Sequence, residues 1–255
     1  MNDFIVFEFP LNERIRVFLR LEQLFSQINH FVHGDTVWDS RAAISSLLDI
    51  LAIFERHELK AEILKELERH SGVLTRISQS HGVDQEVVMQ IQENLDQIKT
   101  QLYAASGKIG LDLMGSELFK CISRRNSIPG GTCAFDLPEY HYWLQQNDNR
   151  RQSDLEQWLE PFKTIHMSIG LILRYIRESS TPTTELAEAG FFQQSLDRSR
   201  PFQLLRVTVP RSFPYFAEIS GGKHRFTIRF MTPHTSERPT QTHDDIDFQL
   251  TRCLF

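Results

Sequence analysis

A strand pattern with no neighbour in sequence is the strongest constraint on this chain. Residues 3–9 read Asp-Phe-Ile-Val-Phe-Glu-Phe and stop at Pro10. β-branched and aromatic residues dominate the run, as they do in strands, and proline closes it. From there to about residue 178 the periodicity is helical, apart from short interruptions. The strand must therefore pair with strands near the far end, which ties the two ends of the chain together.

The helical part starts at Asn12, a capping residue for a helix carrying Ile15, Phe18, Leu21, Phe25, Ile28 and Val32 at three- and four-residue spacings. Arg16 and Arg20 lie four apart, so they share a face, either as solvated surface or as the floor of an anion-binding groove. After His33-Gly34-Asp35, Asp39 or Ser40 caps a second helix with Ile44, Leu47, Leu48, Leu51 and Phe54 inward and Arg56 at its C-terminal end, where a cation suits the helix dipole. Residues 58–79 then carry Ile63, Leu67, His70, Leu74 and Ile77 at alternating four- and three-residue spacing. Asp84 opens the next helix, with Val88, Ile91, Leu95, Ile98 and Leu102. Seams of this period joined by the short Ser80-His81-Gly82 link indicate a long antiparallel helical hairpin, with His70 packed in its seam. Ser106 to Gly110 punctuates, and Ser116 caps a helix ending at Arg125.

Residues 124–144 break the pattern. Ile128-Pro129-Gly130-Gly131 is a turn, residues 132–135 read as short and extended, and Asp136 can cap a helix with Pro138 in its first turn. Tyr140, His141, Tyr142 and Trp143 load that helix with aromatic surface, so the stretch reads as a buried crossover loop. Residues 147–151 read as a polar turn. Ser153 and Asp154 open a last helix through Trp158, Phe162, Ile169 and Ile176, kinked or restarted at Pro161.

Ser179-Ser180-Thr181-Pro182-Thr183-Thr184 is a linker, after which the pattern is β. Residues 190–194, 202–209, 215–219, 225–231 and 246–251 read as strands, and 232–243 as a polar loop. Phe226, Ile228 and Phe230 alternate with Arg225, Thr227 and Arg229, so one face is core and the other presents two guanidinium groups, with Lys223 just after the Gly221-Gly222 turn. The expected fold class is α+β: a helical domain over 10–180 containing the hairpin, and a small antiparallel β domain over 186–255 joined by strand 3–9.

Charge and chemistry narrow the function. No apolar run approaches the ~20 residues needed to cross a bilayer. Cys121, Cys133 and Cys253 are isolated, which argues against a disulfide framework and for a reducing cytoplasm. Residues 1–188 carry 19 Lys and Arg against 27 Asp and Glu, a net −8, while residues 189–255 carry 9 against 6, a net +3. That excess is too small for a non-specific nucleic-acid binder but can serve an acidic protein segment. The nucleophile elbow, phosphate loop, dinucleotide fingerprint and zinc-protease motif are all missing. His30 and His33 have no third metal ligand at useful spacing, and His141 near Cys133 and Asp136 lacks an orienting residue for catalysis. No cofactor or metal is expected. What remains is arginine beside apolar surface. Arg16 and Arg20, Arg124 and Arg125, and Lys223, Arg225 and Arg229 suit carboxylate recognition, with the aromatics of 124–144 to receive apolar side chains. This composition points to an interaction protein. The competing classes are a nucleic-acid binder using the basic sheet face and a hydrolase or transferase using His141.

Four stretches carry a family likeness. They are Phe7 to Glu22 (F-E-x-P-L-N-E-R-I-R-x-x-L-R-L-E), Leu47 to Arg56 (L-L-D-I-L-A-I-F-E-R), Ser127 to Pro138 (S-I-P-G-G-x-C-x-F-D-L-P), and the C-terminal pair I-S-G-G-K-H-R-F-T-I-R-F-M and I-D-F-Q-L. In this order they resemble the ZapD family of bacterial cell-division proteins, over nearly the whole chain. The resemblance implies a non-enzymatic cytoplasmic homodimer at the mid-cell division site. Such a protein binds the C-terminal tail of FtsZ and cross-links its filaments into bundles, promoting Z-ring assembly, without binding nucleic acid or membrane. Arg16, Arg20 and Arg56 lie in matching stretches, and the strand matching 225–231 is also basic in the family. With Arg124, His141 and Lys223 they make up the expected partner-binding set.

Overall fold

The computed structural model describes residues 3–79, 84–104 and 109–254. The fold is α+β: helices fill the N-terminal part, and two small antiparallel sheets are built from C-terminal strands plus the first strand. The chain divides into two compact units, Leu19–Leu171, and Met1–Phe18 with Ile172–Phe255.

In the helical unit, α1 (Glu13–Val32) enters from the other unit and is followed by α2 (Val37–Arg56), α3 (Leu59–Ser78) and α4 (Gln85–Ala104). Thr36, rather than Asp39 or Ser40, is the N-cap of α2. Its hydroxyl accepts from the Asp39 N–H, and the Asp39 carboxylate accepts back from the Thr36 N–H at 3.1 Å, a reciprocal box in which Asp39 sits three residues inside. The hairpin forms as expected. Asp84 Oδ1 accepts from the amides of Glu86 and Val87 at the start of α4. The links Ser78–Gln85, Ser71–Lys99 and Glu68–Tyr103 run antiparallel down the pair. Ile63, Leu67, His70 and Leu74 of α3 and Leu95, Ile98 and Leu102 of α4 are buried. Burial holds the His70 imidazole down at about 4, helped by the Arg69 charge and opposed by Glu66. The link 80–83 and most of the 106–110 punctuation lie outside the described residues.

Short helices α5 (Leu111–Gly115), α6 (Glu117–Asn126) and α7 (Pro138–Leu144) follow. Ser116 stands at the N-cap of α6 without a side-chain capping bond. The expected polar turn at 147–151 is already helix: Asn147 caps α8 (Asp148–Leu159) by accepting from the Arg150 N–H at 2.8 Å. Pro161 restarts the chain as expected, through a 3-10 turn over Glu160–Phe162 into α9 (Lys163–Glu178). One consequence of the earlier start of α8 is that Arg151 turns inward. Its Nε donates to Ser40 Oγ at 3.0 Å, and its terminal nitrogens donate to the carbonyls of Asp35 at 2.7 Å, Leu144 and Gln146. The guanidinium thus fastens the α1–α2 link, the first turn of α2 and the end of α7.

In the other unit, β1 (Phe4–Pro10) pairs antiparallel with β4 (Leu204–Pro210), β4 with β8 (Ile246–Cys253), and β8 with β2 (Thr183–Ala187). The expected pairing of the first strand with distant C-terminal strands is therefore present. The second sheet runs β3 (Phe191–Ser195), β6 (Arg225–Thr232), β5 (Phe216–Gly221), with the two-residue β7 (Thr240–Gln241) also on β6. Part of the expected linker, from Thr183, is strand β2, and β7 lies inside the expected polar loop. Leu205, Val207 and Val209 of β4, Ile246, Phe248 and Leu250 of β8, and Phe226, Ile228 and Phe230 of β6 share one core. Alternation sends one face of each strand there. The hairpin from β2 to β3 turns on Ala189 and Gly190, both at positive φ (46° and 70°), with the Phe191 N–H bonded to Glu188 O. A Cβ on Gly190 would lie 2.7 Å from Thr242 O, so only glycine fits.

Behind β1 and β4, Glu8 takes the Nε of both Arg177 and Arg206, at 2.9 and 2.8 Å. Burial disfavours its charge, but the hydrogen bond and charge of Arg177, then those of Arg206, hold the carboxyl below its ordinary value. Asn12 caps α1 through Ile15 N–H at 3.0 Å and also donates to Gln203 Oε1 ahead of β4.

Candidate partner-binding surface

The positions expected to bind a partner fall in both units. In the helical unit, Arg20 is exposed on α1, Arg56 at the end of α2, Arg124 in the last turn of α6, and His141 on α7. Arg124 lines a cleft of about 190 Å³ with Leu48, Leu51, Glu55 and Phe119, so the C-terminal halves of α2 and α6 share a wall. In the sheet unit, Arg16 is half-buried in the first turns of α1 with its Nε 3.1 Å from Glu13. Lys223, Arg225 and Arg229 are exposed, and Phe226, Ile228 and Phe230 are buried between them, as the alternation required.

Ion pairs hold some of the chain's other cations, whereas Lys65, Arg198 and Arg238 are, among the described residues, exposed outside any ion pair. Arg69, Lys99, Lys120, Arg125, Arg177, Arg206 and Arg252 each sit in an ion pair. Of the eight expected positions, Arg16 alone does so among the described residues. The register nevertheless sets Glu218 of β5 opposite Arg229, whereas Arg225 faces Ser195 of β3. Arg225 is therefore the less encumbered of the two.

The stretch 124–144 is built differently from the expectation. Residues 132–135 are turn rather than extended chain: the Cys133 N–H bonds Gly130 O, and the Asp136 and Leu137 amides bond Cys133 O. A Cβ at Gly131 would lie 2.5 Å from Arg125 O, which explains a glycine there. Asp136 does not cap α7. Leu137 holds that position, and the Asp136 carboxylate pairs with Arg125 at 3.1 Å. Asp136 is thereby committed away from His141. Nor is the loop buried: Phe135 is 85% exposed and Tyr142 70%.

The sequence reading missed Arg41 of α2, which organises this surface. Its Nη1 donates to Thr132 Oγ1 at 3.0 Å and Nη2 to Thr132 O at 3.3 Å. Its guanidinium lies over the rings of Trp38 and Tyr140, at 5.8 and 5.3 Å from their centroids. Burial pushes the Tyr140 phenol up to about 12, against the pull of that charge. Trp38 itself is 76% exposed. The spacing of Trp38 and Arg41, three apart after a cap, was the available signal; Thr132 is 91 residues away. Beneath, Trp143 donates its indole N–H to Asp154 at 3.0 Å, and the rings of Tyr140, Trp143, Trp158 and Phe119 pack in series. A rigid base thus presents aromatic side chains to water, an arrangement suited to protein recognition.

Residues 19–229 match the family model described as ZapD, cell division protein. The chain belongs to the ZapD family. It is 48% identical to the cell division protein ZapD of Methylococcus capsulatus over 254 residues, covering all of both chains. It is 37% identical to ZapD of Aromatoleum aromaticum over 98% of this chain and 97% of that one, and to ZapD of an Azoarcus species over 98% and 99%. A role in cell division follows. ZapD is a cell-division family rather than a known enzyme family, and none of the chain's described helices is long and apolar enough to cross a membrane.

Proposed function

We propose that this ZapD-family chain is a non-enzymatic division factor that binds the C-terminal tail of FtsZ. As a cytoplasmic homodimer at mid-cell, it cross-links FtsZ filaments into bundles. The observation that carries the reading is the set of basic side chains exposed outside ion pairs (Arg20, Arg56, Arg124, His141, Lys223, Arg225 and Arg229) in a chain of the ZapD family. An acidic, partly apolar tail answers such a surface, because charge-assisted hydrogen bonds at exposed rims give specificity and rapid encounter. Two tail sites in a dimer are the minimum for bridging two filaments.

Co-sedimentation with FtsZ, with and without its tail, tests this. Bundles should pellet only with the tail present and should weaken as salt rises. Arg225→Glu with Arg229→Glu should abolish bundling while leaving the melting temperature nearly unchanged, since exposed substitutions of this kind alter stability by under ~0.5 kcal/mol. Wild-type bundling by that variant would move the site to the surface around His141. DNA binding that falls steeply with salt, with no effect on FtsZ pelleting, would replace the reading by a nucleic-acid one.

A further inference from the structure

A second cleft, of about 370 Å³, lies wholly inside the helical unit. Phe25, Ile28 and Val32 recur at three- and four-residue steps, so they form one stripe along the C-terminal half of α1 and make one wall. The other wall comes from a chain that does not run as one straight helix. Pro161 supplies no N–H, and a 3-10 turn separates α8 from α9. Leu159, Phe162 and His166 line the cleft from either side of that turn.

Both walls are held in place. The His166 ring stacks on Phe25, with centroids 4.6 Å apart and planes 21° off parallel. Phe162 is buried and stands edge-on to Phe54 at 5.1 Å. It also occupies the space where a Cβ on Gly110 would fall, 2.6 Å from its Cζ. The cleft is therefore preformed, and its volume lies in the range of small-molecule sites, about 300–1,000 Å³. None of the positions expected to bind a partner lines it.

Charge around the cleft is one-sided. Lys163 is the only Lys or Arg that lines it, and Glu160 already holds that ammonium in an ion pair. The exposed Glu156 carboxylate lines the same cleft and sits in no ion pair among the described residues. Burial holds the His166 imidazole below its ordinary value, against the pull of the Glu22 charge. Glu22 and Glu156 thus act on an apolar cleft whose one ammonium is already neutralised, and His166 adds no positive charge near pH 8.

We propose that this cleft binds a small organic cation, with a flat apolar body between the α1 stripe and the Phe162 and His166 wall and one ammonium group on Glu156. Aromatic walls suit a flat body, and an ammonium gains from both a carboxylate and a ring face. The site is separate from the exposed cations above and stands whether or not the chain binds FtsZ.

The test uses the full chain with tryptamine and with indole-3-propionate, which share a ring and a two-carbon arm and differ in the sign of the terminal charge. Each is titrated at pH 8, where ordinary histidines are neutral, and followed by amide NMR. Tryptamine should shift the amides of Val32, Glu156, Leu159 and His166 saturably, and indole-3-propionate should bind at least tenfold more weakly. Glu156→Gln, an exposed change at nearly constant shape, should weaken tryptamine at least fivefold and leave the melting temperature unchanged. Lys163→Met keeps the side-chain stem and removes the ammonium, so it should tighten tryptamine binding. No saturable shift, shifts confined to another surface, equal binding of the two compounds, or undiminished tryptamine binding by Glu156→Gln overturns the proposal.

Discussion

Arg151 is a buried cation whose partners are a hydroxyl and backbone carbonyls, from positions as far as 116 residues away in sequence. No local pattern announces such a residue, which is why 147–151 reads as a polar turn. Replacing it leaves several carbonyls short of donors, each costing about 1–3 kcal/mol. Arg151→Met should therefore lower unfolding stability by about 3 kcal/mol in urea titration. Arg151→Lys should recover little of it, because one ammonium cannot span a fork's acceptors. Arg225 and Arg229 were legible because strand alternation is a local rule, whereas Arg41 was not, because its role depends on Thr132 arriving from another element. His70 was legible as a seam residue. Its imidazole is held near 4, below its ordinary 6.5, so the unfolded chain takes up the proton first. Its contribution to stability is complete above pH 6.5 and is lost as pH falls toward 4, by about 3 kcal/mol for a shift of this size. His70→Leu should show a shallower loss of melting temperature between pH 7 and pH 5 than the unmodified protein, the remaining slope including His166, which burial also holds low despite the nearby Glu22 charge. Equal slopes would sink this assignment.

At the scale of elements, the long helices were legible from their seams, and their errors lie at the ends. Thr36 took the cap expected of Asp39 or Ser40, and Asn147 started α8 six residues before the expected Ser153 because capping depends on which oxygen reaches the first free amides. β2 hid in a Ser, Thr and Pro run that reads as linker. Its strand character comes from β8, whose Leu250 lies opposite Thr183. β1 was legible because its own residues are β-prone. It also covers the Ile5, Phe7 and Phe9 side of the core and supplies Glu8 to two arginines. Deleting residues 1–9 should therefore expose β4 as a new edge, lower the melting temperature and promote aggregation. A truncated protein that melts with the full chain and stays soluble would refute the structural weight given to this strand.

On the whole-molecule scale, cross-linking asks for two copies. The reading of this chain as a ZapD-family bundling factor predicts a dimer mass by light scattering at micromolar concentration, and a monomer mass there would overturn it. The helical unit is also an insertion. Residues 19–171 lie between two pieces of the sheet unit, and Phe4 meets Pro210 across almost the whole chain. On the ribosome, β1 emerges first and finds its partner last. At roughly 5–20 residues per second, β4 follows it by about 10–40 seconds. Helices form from local contacts in far less time than that. Synthesis should thus finish the helical unit while Phe4, Val6 and the aromatic face of β1 wait in solvent for β4, which makes nascent β1 a segment in need of a chaperone.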